Sequence, residues 1–343
     1  MKRYLAFVML LALLLAGCGQ TAAPAPTEAP APAPAATEAP APTEEPVEEA
    51  EIPVIRMGAM TGPTGMGLVQ LMEMEDKYAF TITGAADELL PKLLQGELDA
   101  AALPVNAGAT LYQKSGGKVE MACVNTLGVL YIVEKGEEQV KTMADLKGRS
   151  LYATGKGSTP EYTLRYLLTQ AGLDPDKDVD IQWQSEPAGV VSLMAAEEQA
   201  VAMLPQPFVT AALGKLGETA HVAVSLSDEW AALDNGSLMI TAGLLVRREF
   251  AEQNPEAMAQ LLADYKAGTE WVNANYAEAA ALCEKYGIAA AAVAEKALPK
   301  CGVTFIAGEE MKTALSGFLT VLHEQNPASI GGALPGDDFY YVR

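Results

Sequence analysis

The stretch Gly155-Lys156-Gly157-Ser158-Thr159-Pro160-Glu161 holds the residue types that point most directly to chemistry. Glycines let a backbone approach another molecule closely. Ser158 and Glu161 stand at capping-box spacing, and Pro160 suits the first turn of a helix. Free N–H groups at such a helix start attract anions, Lys156 adds positive charge, and Ser158 and Thr159 add hydroxyls. The same residues also describe a well-capped helix with an exposed lysine. Thr61 to Met66 follows the first expected strand and offers Thr64, the Gly65 backbone and Met66 as polar contacts and an adaptable apolar wall, or else a plain turn with a core methionine. Asn106, just past Pro104, and Gln206, between Pro205 and Pro207, fall beyond strand ends, where an amide can bind a ligand or cap a helix. Tyr162, Phe208 and Trp230 have faces for a planar ligand, although aromatic residues in helices more often fill cores. Asp87, Glu161 and Glu186 near the same edges weaken the case for an anion.

Catalytic patterns are scarce. There is no P-loop, no G-x-S-x-G elbow, no H-E-x-x-H and no C-x-x-C. Ser115-Gly116-Gly117-Lys118 matches S-x-x-K but lies in a Gly-rich loop without supporting motifs. His221 and His323 are about a hundred residues apart, and Cys18, Cys123, Cys283 and Cys301 stand singly, so neither a zinc motif nor a disulfide framework is legible. The reading is therefore of a non-enzyme with no cofactor and no metal. In an oxidising compartment Cys283 and Cys301 can pair, and three free thiols after Cys18 are an equal alternative.

The positioning elements must come from a chain of 343 residues that is 50% hydrophobic, enough for one or two packed domains. A net charge of −21 lacks the basic stripe that phosphate backbones require, which excludes a nucleic-acid partner. Lys2 and Arg3 precede an apolar run from Tyr4 to Ala16, which reads as an export signal and is short of the roughly 20 residues that span a bilayer. From Thr21 to Glu51 the chain repeats Pro, Ala, Thr and Glu with no basic or aromatic residue, a composition that cannot bury a core. At about 3.1 Å per residue such a tether reaches on the order of 100 Å.

From Val54 short apolar runs alternate with amphipathic segments, the pattern of βαβ units around mainly parallel sheets. Strands are expected at Val54 to Met60, Phe80 to Thr83 and Ala100 to Leu103. Helices are expected at Asp87 to Leu94, with Asp87 as N-cap, and at Val105 to Gln113. Val119 to Val133 is too long for one strand in one domain and suits a crossover between lobes. A second series follows, with strands at Ser150 to Ala153, Val179 to Trp183, Ala200 to Leu204 and His221 to Ser225, and helices from Ser158, Pro187 and Pro207. After the β-prone run Leu238 to Val246, only helices are expected. Asn254-Pro255-Glu256 starts one of them, with Asn254 as N-cap. Met258, Leu261, Leu262, Tyr265 and Val272, and then Met311 through Leu322, recur at helical spacing as core stripes.

Leu15-Ala16-Gly17-Cys18 resembles the lipobox of bacterial lipoproteins, which implies lipidation of Cys18 and anchoring to the cell membrane on its extracytoplasmic side. From Val54 onward the chain resembles solute-binding proteins of ABC importers, in the branch that binds nitrate, sulfonates, taurine and thiamine-pyrimidine precursors. The resemblance rests on Gly96 to Pro104, Leu146 to Tyr152, Gly155 to Tyr162 and Leu204 to Phe208, in that order and spacing. It implies an α/β, two-lobe, type II periplasmic-binding-protein clamp with two β hinge crossings and a helical C-terminal tail. The implied organisation is a signal peptide at 1–17, a lipid-anchored linker at 18–52, lobe 1 at 53–126 with 227–343, and lobe 2 at 127–226. The hinges fall near 125–128 and 226–237. A small organic anion or a planar heterocycle would be captured by lobe closure, for a monomer that serves an ABC permease and ATPase. A surface sensor or scaffold built on the same clamp is the alternative. A thiamine-precursor synthase, which the resemblance also touches, would need histidine chemistry that two remote histidines do not supply.

Overall fold

The computed structural model describes residues 52–343. The export signal, Cys18 and nearly all of the Pro/Ala-rich tether lie outside them. Among the described residues no helix is long and apolar enough to cross a membrane.

Among the described residues eleven strands form two sheets: β1 Ile55–Met60, β2 Tyr78–Thr83, β3 Ala100–Pro104, β4 Val119–Leu127, β5 Leu130–Lys135, β6 Ser150–Thr154, β7 Asp180–Gln184, β8 Ala200–Pro205, β9 Ala220–Ser225, β10 Ile240–Arg247 and β11 Val303–Ala307. The first sheet has the order β11-β4-β10-β3-β1-β2, and the second β7-β6-β8-β5-β9. Strand β1 pairs in parallel with β2 and β3, whereas β10 runs antiparallel between β3 and β4. In the second sheet β6 is parallel to β7 and β8, and β5 is antiparallel between β8 and β9. The chain crosses between sheets twice, through Gly128 and Val129 and again between Ser225 and Ile240.

Strand β11 departs from the expectation of helices alone after β10. Its five residues pair with β4 through an interrupted register, so a neighbouring strand rather than local propensity stabilises it. Asp87 also departs from its expected place: Ala85 takes the cap position of helix Ala86–Gln95, and Asp87 lies in the first turn, where its charge still complements the helix dipole. Asn254 does cap helix Pro255–Ala274 by position, but its amide donates to Phe250 O in the preceding helix (3.0 Å).

The apolar stripes of helices Pro255–Ala274 and Gly308–Gln325 are buried, except that Leu262 is half-buried at the margin of the first. One apolar cluster runs through both sheets, from Leu103 and Met121 to Ile132 and Leu151, with Phe318 and Trp230 in it. Each sheet closes its other face separately, the first under Met57, Leu71 and Tyr265, the second under Val133, Val190 and Leu204. At the amino-terminal end of β3 the buried Asp99 accepts from Arg56 Nε (2.9 Å), Arg56 N (3.0 Å) and Arg247 Nη2 (3.2 Å). Burial pushes its carboxyl up, but the bonds from Arg56 and Arg247 prevail and hold it below the ordinary carboxylate range.

Candidate ligand-binding site

After β6 the chain turns through Gly155 and Gly157, both left-handed at φ +83° and +77°. A Cβ at Gly155 would stand 2.8 Å from Pro160 Cγ, so glycine is required there twice over. Ser158 occupies the N-cap position of helix Thr159–Gln170, yet the expected capping box does not form. The Ser158 hydroxyl donates backward to Gly155 O (2.8 Å), and Glu161 accepts from Gly157 N (2.6 Å) and from Arg165 Nε (2.9 Å). The two left-handed residues turn the chain so that Gly155 O and Gly157 N take these side chains in place of the helix's first amides. The negative charge that this turn attracts thus comes from the chain itself. Lys156 is exposed on the outside of the turn.

In the first lobe the corresponding turn is a single helical turn, Pro63–Met66. Gly65 packs so closely that a Cβ would lie 2.5 Å from Met60 O. Thr64 is nearly buried, and Met66 is wholly enclosed in the first-lobe core, its Sδ 3.9 Å from Cys301 Sγ. Met66 therefore serves as packing for the turn.

Two of the predicted residues meet across the sheets. Asn106 is in the first turn of helix Val105–Ser115, which leaves the end of β3, and Thr159 begins the helix that follows β6. Thr159 Oγ1 donates to Asn106 Oδ1 (2.9 Å), with both residues buried, and Asn106 Nδ2 donates to Ser329 O (3.4 Å). Two helix starts, one from each lobe, are joined by this bond.

The other predicted residues divide. Gln206 is a cap: its Oε1 accepts from Thr210 Oγ1 (2.9 Å) and Thr210 N (3.3 Å) at helix Phe208–Leu216. Phe208 packs on the second-lobe core, and Tyr162 on the shared cluster. Trp230 is 1% exposed and stacks between Tyr166 (4.9 Å) and Phe318 (5.2 Å), while its Nε1 donates to Ser237 Oγ (3.1 Å). It works as a joint between a second-lobe helix and the C-terminal helix.

Beside this joint a cavity of about 610 Å³ opens at the hinge, within the size range of small-molecule sites. Gln206 and Trp230 reach its lining. So do residues that sequence reasoning missed, among them Tyr131, Ser227, Asp228 and Lys300. Tyr131 Oη donates to Lys300 O (3.2 Å), which ties the second sheet to the loop before β11. Burial raises the Tyr131 phenol, and charge on Cys301 and Asp228 adds to the rise. The polar run Ser225, Ser227 and Asp228 in the second crossing was the available signal, since a crossing between lobes has to face the cleft.

Cys123, Cys283 and Cys301 are free and buried. The two tail cysteines are therefore unpaired, which decides between the two alternatives that the sequence left open. Burial pushes the thiols of Cys283 and Cys301 up to about 12, with Cys283 adding to the shift of Cys301.

A family model described as NMT1-like matches residues 72–286. A protein of Brucella abortus that carries the name of a binding protein is 25% identical over 176 residues; the match covers 51% of this chain and about half the length (52%) of that relative. Among solved structures, an ABC transporter protein from Parabacteroides distasonis has a TM-score of 0.71 at 23% identity, covering 84% of this chain and 98% of its own. The periplasmic aliphatic sulphonate binding protein of Escherichia coli follows with a TM-score of 0.65 at 21% identity, covering 82% and 92%. The periplasmic nitrate-binding protein of Synechocystis has a TM-score of 0.52 at 15% identity, covering 69% and 67%. The paired sheets, the double crossing and the facing helix starts are thus a fold shared with periplasmic binding proteins, and the chain belongs to the NMT1-like family.

Proposed function

We propose that this protein is the substrate-binding component of an ABC importer. It is anchored through lipid on Cys18 at the outer face of a bacterial membrane, and it takes up a small molecule between its lobes for a permease and ATPase. The observation that carries this reading is the Thr159–Asn106 bond, which brings the helix starts of both lobes together through ligand-competent polar groups. Closure of such a clamp is driven by contacts that exist only when the lobes meet, and this bond is one of them.

Of the two ligand classes that the resemblance implies, the small organic anion is the less well supported. Glu161 already accepts from the second-lobe turn, and a net charge of −21 repels anions at long range. A thermal-shift screen of the full chain against sulfonates, nitrate, pyrimidine precursors, amino acids and short peptides tests the reading. A ligand at about 100 times its Kd adds about 2.7 kcal/mol, a readable shift. A cooperative melt unmoved by every solute would overturn it.

A further inference from the structure

The hinge cavity carries free charges of both signs. Asp228 stands on the short helix Leu226–Ala232, where its backbone N–H, not its carboxylate, is tied to Ser225 Oγ (3.3 Å). Lys300 precedes β11 with its carbonyl taken by Tyr131 Oη, which leaves the ammonium unused. Both side chains are exposed and line the same cavity, and neither forms an ion pair among the described residues.

The same lining holds apolar side chains, Val222, Leu238, Met239 and Pro299, beside the hydroxyls of Ser225, Ser227 and Ser237. Val222 and Leu238 are 37% and 43% exposed, a cost that an apolar ligand would remove. A ligand with a single charge would leave one head group without a partner. A plain anion would meet Asp228 and the acidic surface, and a plain cation would meet Lys300.

We propose that this cavity binds an amphipathic zwitterion, a molecule with one ammonium, one carboxylate and an apolar body, such as an apolar amino acid or short apolar peptide. The ammonium pairs with Asp228, the carboxylate with Lys300, and the body lies on Val222 and Leu238. Because Val222 belongs to the second sheet and Lys300 to the first lobe, the ligand would bridge the hinge. The inference rests on the clamp reading and names its substrate class.

Calorimetric titration of the full chain tests it, with L-leucine, L-phenylalanine and the dipeptide of the two as probes. Each amino acid is run beside its amine-free acid (4-methylpentanoate, 3-phenylpropanoate) and its carboxylate-free amine (3-methylbutylamine, 2-phenylethylamine). The expected result is that a zwitterion binds and that both single-charge analogues bind at least about tenfold more weakly. Asp228→Asn should weaken the zwitterion by a similar factor without weakening the amine-free acid, whose repulsion it relieves. Lys300→Gln should likewise weaken the zwitterion without weakening the carboxylate-free amine, and both variants should keep the parent melting profile. A zwitterion that binds equally well to both variants, or no zwitterion binding at all, overturns the assignment. A sulfonate or heterocycle bound equally by parent and variants would overturn it too, yet leave the clamp standing. Silence from these probes and from the wider screen would bring down both.

Discussion

The two lobes repeat one strand-and-helix plan but hold the turns that follow β1 and β6 by different means. The first-lobe turn, Pro63–Met66, is fixed by packing: Gly65 lies against Met60 O, and Met66 is sunk in the core beside Cys301. The second-lobe turn is fixed by polar contacts of its own, Ser158 to Gly155 and Glu161 to Gly157. Packing resists change in volume and is indifferent to charge, whereas a hydrogen-bonded turn responds to charge, and this one has room for added volume at Gly157 though not at Gly155. The first-lobe turn is therefore held by shape and the second-lobe turn by polar contacts.

The joint between them should yield the largest effect. Trp230→Ala removes the aromatic link between helices Thr159–Gln170 and Gly308–Gln325, and about 3–5 kcal/mol should be lost in urea melts. If the lobes depend on this joint to melt together, the transition should also broaden or split, and a sharp single transition would show that the shared cluster couples them without it.

Next comes a contrast between glycines. Gly65→Ala forces a Cβ toward a carbonyl and should cost about 1–3 kcal/mol. Gly157→Ala meets open space and has only its left-handed backbone to overcome, so about 1 kcal/mol is expected from the same melts. Equal costs at the two positions would erase the distinction between a packed and a hydrogen-bonded turn.

Glu161→Gln keeps the shape of the second turn and removes its charge. About 1 kcal/mol should be lost, with faster amide exchange confined to the region of Gly157, while Met60 to Met66 stays protected. For the contact across the lobes, a double-mutant cycle of Asn106→Ala and Thr159→Val should return about 0.5–1 kcal/mol of coupling, and additivity would mean that the bond does not help closure.

The smallest effect concerns acid. Asp99 in the first lobe is held below the ordinary carboxylate range, so its contribution is present above about pH 4 and is lost as pH falls through its lowered value. Its partner Arg56 is 45% exposed, and solvent screening keeps the amplitude modest. Asp99→Asn should flatten the acid limb of stability against pH, and an unchanged slope would assign that limb to other groups.

Much of this architecture is legible in the residues. Alternation of apolar runs and amphipathic segments placed β1 to β3, β6 to β10 and the buried stripes of the tail to within a few residues, and β4 with β5 as one crossing run, because those signals are local. Strand β11 escaped because five residues after Pro299 acquire their conformation from β4, more than 170 positions earlier. The capping box at Ser158 and Glu161 had the right spacing but competed with two left-handed glycines whose geometry the spacing does not encode. At the site, Asn106 and Thr159 could each be singled out, but their meeting could not, since it depends on how two sheets turn toward each other. Asp228 and Lys300 carry no motif at all, and only the cavity relates them.

The three buried thiols have a practical consequence. Held protonated at neutral pH by burial, Cys283 and Cys301 offer no thiolate to a maleimide, and Cys123 is buried still deeper. A cysteine placed on the exposed turn by Lys156→Cys would then be the one reactive handle among the described residues. An environment-sensitive dye attached there would report ligand-induced changes around the second-lobe turn as light, with no native thiol among the described residues to remove first.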